Sequence, residues 1–440
     1  MALVVSFAAL FLAVIFLQLS SGGVGTIDAL TGLSLGFTTG QIGLLGSAHF
    51  AGFFIGCWWA PRLMGSVGYS RAFAVFTSLG AIGLLAHILT SDPLIWAALR
   101  VASGLCIAGC YTVIEAWLQA KVTNATRGRS MGAYRFVDLG GQLAAQLMIG
   151  ALAGVELYVA YTILAIFCSA SILPLALTRA SPPSLEGAPR LRPLLAVQRS
   201  PLAVGGVIVA GLTASAYRMV GPLYGSEIGL SADQVGLFLA AVILGGALAQ
   251  LPAGWIADRY DRRKVLVGVS LASVAACGVS ALAATPGAAI AASALFGMVT
   301  FPIYSIAAAH AHDFTEDHDR AELSAALLFY FALGAIVSPV AVSALIGLYG
   351  PVSFFAFIAL GHLILVAYSL LRMRRRPTAK ARTTYIYAPR TSFLIGRLTG
   401  RERKRGAATE AKAGTTGSEG VTGRDDAGAG RTDPKDPKDQ

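Results

Sequence analysis

Charge is scarce in this chain. Charged residues make up 13% of its 440 residues, hydrophobic residues 55%, and mean hydropathy is +0.66. A soluble globular protein is about a quarter charged, so an ordinary soluble fold is excluded. Lysine is scarcer still, seven residues against 27 arginines, and Asn124 is the one asparagine. That bias points to a GC-rich, bacterial genome. No Gly-x-x-x-x-Gly-Lys-Ser/Thr loop is present, so no ATP motor is built in. His-Glu-x-x-His and Gly-x-Ser-x-Gly are also missing, and no enzyme activity or cofactor is expected. RNP, zinc-finger and basic-zipper patterns are absent, which argues against nucleic acid as a partner. The five cysteines, Cys57, Cys106, Cys110, Cys168 and Cys277, all fall inside apolar runs and read as small apolar side chains. The N-terminus lacks a basic leader region and a small-residue cleavage site, so its apolar run reads as a first membrane helix.

What the chain does have is length of apolar sequence. Twelve runs follow one another, at about 4–27, 40–60, 72–90, 93–118, 130–152, 156–178, 201–223, 233–255, 265–284, 286–309, 322–346 and 351–371. Each suits one crossing of a bilayer as a helix. Basic residues mark alternate connections: Arg62 and Arg71, then Lys121, Arg127 and Arg129, then Arg179 to Arg199, then Arg259 to Lys264, then Arg320. The opposite connections hold only acids, among them Asp28, Asp92, Glu156, Glu227 and Asp233. Basic loops stay in the cytoplasm, so both termini are expected there, in a bacterial inner membrane. Asn124 heads a sequon inside one of these basic connections, where it is not expected to be glycosylated.

The two halves repeat. Gln41-Ile42-Gly43-Leu44-Leu45 aligns with Gln234-Val235-Gly236-Leu237-Phe238, Ala48 with Ala241 and Gly52 with Gly245. The pattern divides the chain into a six-helix bundle at 1–178, a Pro-, Ser- and Arg-rich linker at 179–200, a second bundle at 201–372 and a tail at 373–440. The net charge of +11 is concentrated in that tail. Its first part is basic with scattered aromatics and suits an anionic lipid surface; its end has almost nothing to bury.

The connection after the eighth run reads Gly254-Trp255-Ile256-Ala257-Asp258-Arg259-Tyr260-Asp261-Arg262-Arg263-Lys264. It resembles the loop signature Gly-x-x-x-Asp-Arg-x-Gly-Arg-Arg of the major facilitator superfamily (MFS), departing at Asp261. Glycine allows close helix approach, and aspartate pairs with arginine or caps a helix. Gly254, Asp258, Arg259, Arg262 and Arg263 are thus the expected cytoplasmic gate. The matching first-half positions, Pro61, Gly65, Ser66, Gly68 and Arg71, lack the acid and its partner, so the latch is expected on one half only. In the fourth run, Arg100 to Gly109 resembles the family's Arg-x-x-x-Gly element, tied to proton coupling, with Gly104 and Gly109 as packing positions. The segments 113–117 and 304–313 are similar to a poorly characterised bacterial branch. The resemblance covers about residues 1–372. It implies an all-α polytopic membrane protein of twelve helices, two six-helix pseudo-repeats rocking about a midplane cavity.

Ionisable groups inside a membrane are costly, about 2.5–3.5 kcal/mol on insertion scales, and mark candidate sites. Arg100, Glu115, Arg135, Asp138 and Arg218 are these. Arg135 and Asp138 share a helix face, and Glu115 is expected at similar depth. They form either a proton-coupling site or a static ion network. Arg218 either binds a substrate carboxylate or pairs with Glu227. Pro302 is expected to bend the tenth helix beside the cavity. The His- and acid-rich stretch 310–319 matches no metal pattern and is read as a solvated loop. The implied function is secondary active transport of a small-molecule substrate with protons. Efflux of an amphipathic organic compound is favoured over metabolite uptake, and a transporter-fold sensor is a further alternative.

Overall fold

The computed structural model describes residues 2–122, 127–177 and 190–375, together with 383, 385, 391 and 392. Asn124, the first half of the linker and most of the tail lie outside the described residues. Among those described, twelve helices are long and apolar enough to cross a membrane. They are α1 (Phe7–Ser34), α2 (Thr39–Val67), α3 (Tyr69–Leu89), α4 (Pro93–Leu118), α5 (Arg129–Ala153) and α6 (Leu157–Ala176). The second six are α7 (Pro201–Glu227), α8 (Ala232–Arg259), α9 (Arg262–Ala281), α10 (Pro286–His312), α11 (Arg320–Tyr349) and α12 (Val352–Arg374). A short helix, Pro193–Arg199, precedes α7, with Leu195 and Ala196 buried.

The sequence repeat at Gln41 and Gln234 is a capping device. Thr38 accepts from the Gln41 N–H while the Gln41 side chain accepts from the Thr38 N–H, which closes the first turn of α2. Ser231 and Gln234 do the same for α8. Each box satisfies two N–H groups that would otherwise lack partners. The matched glycines set the packing. A Cβ at Gly52 would run into the Val101 carbonyl of α4, and one at Gly104 into the His49 carbonyl of α2. Gly245 and Gly297 repeat this between α8 and α10, against the Ala294 and Val242 carbonyls. Backbones brought this close need small residues at the crossing.

Two expectations shift. Helix α1 extends to Ser34, turning at Gly22 and Gly23, so Asp28 lies within it and is buried, not in a loop. Hydropathy alone ends the helix at an acid whose partner is distant in sequence. Helix α2 continues through Pro61 to Val67, so Arg62 stands on its last turns and only Gly68, at φ 87°, separates it from α3. Several connection charges are thus helix-end charges.

The two sets of six helices meet mainly through α2 with α11 and α5 with α8. The meeting is tightest at the end bearing the acidic connections. There Gly43 abuts the Pro339 carbonyl, Ser47 accepts from the Val340 N–H at 3.3 Å, and Gly236 abuts the Gln146 carbonyl. Toward the basic end α2 and α11 still touch at Phe54 and Phe329, and a central cavity lies between the sets.

Candidate functional site

The cavity holds about 170 Å³, room for on the order of ten waters. Its two walls differ in chemistry. The first six helices contribute Gln18, His49, Tyr111, Arg135, Asp138, Gln142 and Gln146, with Phe50, Phe53, Ile107 and Leu139 as the apolar groups among them. The second six contribute Tyr217, Phe296, Phe301, Phe331 and Leu239, with Arg218, Thr213 and Thr300 as the polar groups among them.

The polar wall centres on Asp138. Gln18 donates to its Oδ1 at 2.7 Å and Tyr111 to the same oxygen at 2.9 Å, while Arg135 reaches Oδ2 at 3.3 Å. Gln18 also donates to the Tyr111 hydroxyl. Arg135 and Asp138, expected on one helix face, are thus paired. Gln18 and Tyr111 complete the cluster, and neither was singled out from sequence. A lone amide in the first apolar run was the available signal for Gln18. His49 also faces the cavity, edge-on to Phe50, and its Nδ1 has no hydrogen-bond partner among the described residues.

Glu115 is fully buried and takes a different set of partners. The Tyr134 hydroxyl donates to it at 3.2 Å, and the Thr391 and Ser392 hydroxyls each donate to one carboxylate oxygen. Arg135 lies over the Tyr134 ring at 4.8 Å, so Tyr134 stands between the two charges. Glu115 is not joined directly to the Asp138 cluster by any of these bonds.

Arg100 is buried at the acidic end. Its Nε lies 3.2 Å from Asp28 Oδ2, and its Nη2 lies 3.9 Å from the Met219 sulfur on α7. Tyr161 donates to Asp28 at 2.6 Å, and His87 stacks on the Tyr161 ring. Asp28 was read as a loop acid, so this pair was missed. Arg218 lines the cavity from a π-helical turn, Ala216–Val220. Such turns recur at functional sites. Tyr217 beside it stacks on Phe238 and Phe296, which holds the turn in place. Glu227 lies exposed at the far end of α7. Helix α10 is interrupted at Phe301 just before Pro302, and Thr300 and Phe301 line the cavity.

At the basic end, Arg262 is the hub of the expected gate. It pairs with Asp313 at 2.6 Å and Asp258 at 3.0 Å, and donates to the Ala309 carbonyl at 3.0 Å. Asp261, the departure from the family signature, accepts from the Arg263 N–H as the N-cap of α9 and pairs with its side chain at 2.8 Å. Arg259 lies over the Trp255 ring. The stretch 310–319 is not merely solvated: Asp313 is committed to Arg262, and Asp319 to Arg199 at 2.9 Å. No group of three or more metal-ligating side chains occurs among the described residues.

A model of the Major Facilitator Superfamily matches residues 203–398. The chain is 30% identical over 330 residues to an uncharacterized MFS-type transporter of Yersinia pestis, covering 73% of this chain and 84% of that one. It is 28% identical over 347 residues to another of Enterobacter sp. (strain 638), covering 78% and 89%. Its fold superposes on the nucleoside transporter NupG with a TM-score of 0.70 at 14% identity, over 86% of this chain and 100% of that one. A bacterial homologue of the human lysosomal transporter Spinster, in an inward-facing and occupied conformation, gives a TM-score of 0.70 at 16% identity, over 84% and 97%. At such identities the structural likeness shows the fold alone.

Proposed function

The chain belongs to the major facilitator superfamily, and on that premise we propose that it moves a small amphipathic organic solute, coupled to protons, by alternating access. It is a multi-pass membrane transporter and not an enzyme. The observation that carries the substrate reading is the two-faced cavity, with the Asp138 cluster on one wall and Tyr217, Phe296 and Phe331 on the other. An aromatic wall binds an apolar body, while charged and amide groups orient a polar end.

The halves 1–178 and 201–372 rock about this cavity. The basic end faces the cytoplasm, following the loop charges, and the close meeting of the halves at the opposite end is the closed gate of this arrangement. Asp138 exchanges the proton. Ionised, it lets the cluster with Gln18, Tyr111 and Arg135 hold a polar group of a solute taken from the cytoplasm. Protonation from the outer side weakens that hold and releases the solute there, so proton and solute alternate on one site. Glu115 is the second candidate for the proton, farther from the cavity. Efflux is the direction favoured, because an aromatic wall open to the cytoplasm accepts compounds partitioning from membrane or cytosol. Metabolite uptake instead requires proton and solute to bind together, so that the same gradient carries both inward.

A ligand-induced thermal-shift screen on the purified protein identifies a solute. Flux of that solute in proteoliposomes is then followed with and without an imposed pH gradient. Transport indifferent to the gradient refutes proton coupling. No flux of any stabilising compound, with binding intact, favours a sensor that moves nothing.

A further inference from the structure

We propose that Thr383, Tyr385, Thr391 and Ser392 of the tail form an autoinhibitory strap, fastened to both halves at the basic end and holding them at a fixed separation. The inference does not depend on which solute is carried, nor on proton coupling.

Four tail residues carry it. Thr383 donates from its N–H and hydroxyl to Asp313 Oδ1, at 2.8 and 2.7 Å, and accepts from Arg262 on both its hydroxyl and its carbonyl. The Tyr385 N–H donates to Asp258 at 2.6 Å, and its hydroxyl donates to Gln250 at 3.3 Å. Its ring rests on Gly254, where a Cβ would come within 2.8 Å. All these partners belong to the second half. Six residues further on, Thr391 and Ser392 bond to Glu115 of the first half. Ser392 is fully buried, and Thr391 lines the central cavity.

The tail is thus fastened to both halves through carboxylates, Asp258 and Asp313 on one and Glu115 on the other. Glu115 has no basic side chain bonded to it in these contacts; three hydroxyls satisfy it. A buried carboxylate is costly without such donors, so the tail supplies two of the three groups that make the site habitable. Alternating access brings the basic ends of the halves together. With Thr391 and Ser392 lodged beneath the cavity, that closure requires the strap to leave. The gate residues Asp258 and Arg262 are engaged by the tail in this state, which makes the tail their competitor for the closed latch. A tail lying on lipid, the other use of its basic residues, leaves the mouth open.

Access to the cavity tests this without any solute. Gln142→Cys places a thiol in the cavity wall, and the five native cysteines are buried and serve as the blank. Labelling of the purified protein by a bulky hydrophilic maleimide is timed in the full chain, in a chain ending at Arg375, and in the full chain carrying Ser392→Asp. The Ser392→Asp carboxylate would face Glu115 and expel the strap. Both altered chains are expected to label faster by at least about fivefold, the lower range of a site-to-site coupling. A synthetic peptide of residues 376–400 should slow the truncated chain again. Equal rates in all three chains overturn the proposal. Fast labelling of the truncated chain alone, unrelieved by peptide and not reproduced by Ser392→Asp, means a loosened fold and overturns it as well.

Discussion

Gln18 and Asp138 stand 120 residues apart in sequence and 2.7 Å apart in space. Gln18 occupies the position that the 193-residue repeat assigns to Gly211 in the second half. There Gly211 and Gly334 bring α7 and α11 together, each against a backbone carbonyl of the other helix. In the first half Gly141 of α5 retains its role, with Gln18 Cβ seated on it. The amide head is then turned toward Tyr111 and Asp138. Pseudo-symmetry is broken where the cavity needs a polar wall.

The first prediction follows from that break. Gln18→Ala removes one donor to a carboxylate, and a hydrogen bond to a charged group contributes about 1.5–3 kcal/mol. The fold should survive, because Tyr111 and Arg135 still hold Asp138. Gradient-driven flux of the identified solute should fall, and its pH profile should shift. Asp138→Asn should abolish the response to the gradient while binding persists. Unchanged pH dependence in both variants would remove Asp138 from the coupling path.

A second prediction concerns Asp28 and Arg100, both almost fully buried. Breaking a buried ion pair by removing one partner costs about 3–5 kcal/mol, because the remaining charge is stranded. Arg100→Gln alone should therefore lower the melting temperature strongly. Asp28→Asn added to Arg100→Gln should recover much of the loss, since Tyr161 can donate to the Asn carbonyl oxygen as it does to Asp28. A double-mutant cycle on thermal unfolding checks it; additive losses would mean that the two charges do not interact.

The residues show what a sequence can and cannot disclose. Helix number, the repeat and the Arg135–Asp138 pair were legible because each depends on local pattern: run length, recurrence, or a spacing of three on a helix. The caps at Thr38 and Ser231 follow from the same repeat. Asp28 was misread because hydropathy treats an acid near the end of an apolar run as a loop, and only its distant partner Arg100 keeps it inside. Gln18, Tyr111 and Tyr134 were missed for the same reason. Each is unremarkable beside its own neighbours and acquires a role only when helices α1, α4 and α5 converge. The tail contacts lie still further from local pattern, since Thr383 to Ser392 have no periodicity of their own that announces a partner.

A third prediction uses pH outside the membrane. The Arg199 guanidinium bonds to Asp319 and holds its carboxyl below the ordinary carboxylate range, with neighbouring His318 acting in the same direction. A depressed value means that the folded state favours the ion. The contribution is complete above the unfolded value, about 3.9, and is lost as pH falls through the folded value. The helix Pro193–Arg199 should thus stay docked on α11 at pH 5 and above and loosen below about pH 4. Hydrogen exchange of residues 193–199 reads this directly. Asp319→Asn should give fast exchange already at pH 7, with little further change on acidification. Slow exchange in that variant would show that other contacts hold the helix.

The last prediction separates two kinds of glycine. At Gly104 a Cβ would run into the His49 carbonyl, and neither backbone can yield without separating α2 from α4. Overpacking typically costs about 1–3 kcal/mol, and here the obstacle is main chain, so Gly104→Ala should fall at or above the top of that range. Gly297→Ala should behave alike, because the Val242 carbonyl stands in the corresponding place. Gly278 sits in the interior of α9 with open space around its Cβ position. Alanine there gains helix propensity, about 0.5–1 kcal/mol, and should leave stability unchanged or slightly raised. Fluorescence-detected size exclusion after heating compares the three. Equal melting temperatures for Gly104→Ala and Gly278→Ala would mean that α2 and α4 are not packed backbone to backbone, and the parallel between the two halves at these crossings would fail with it.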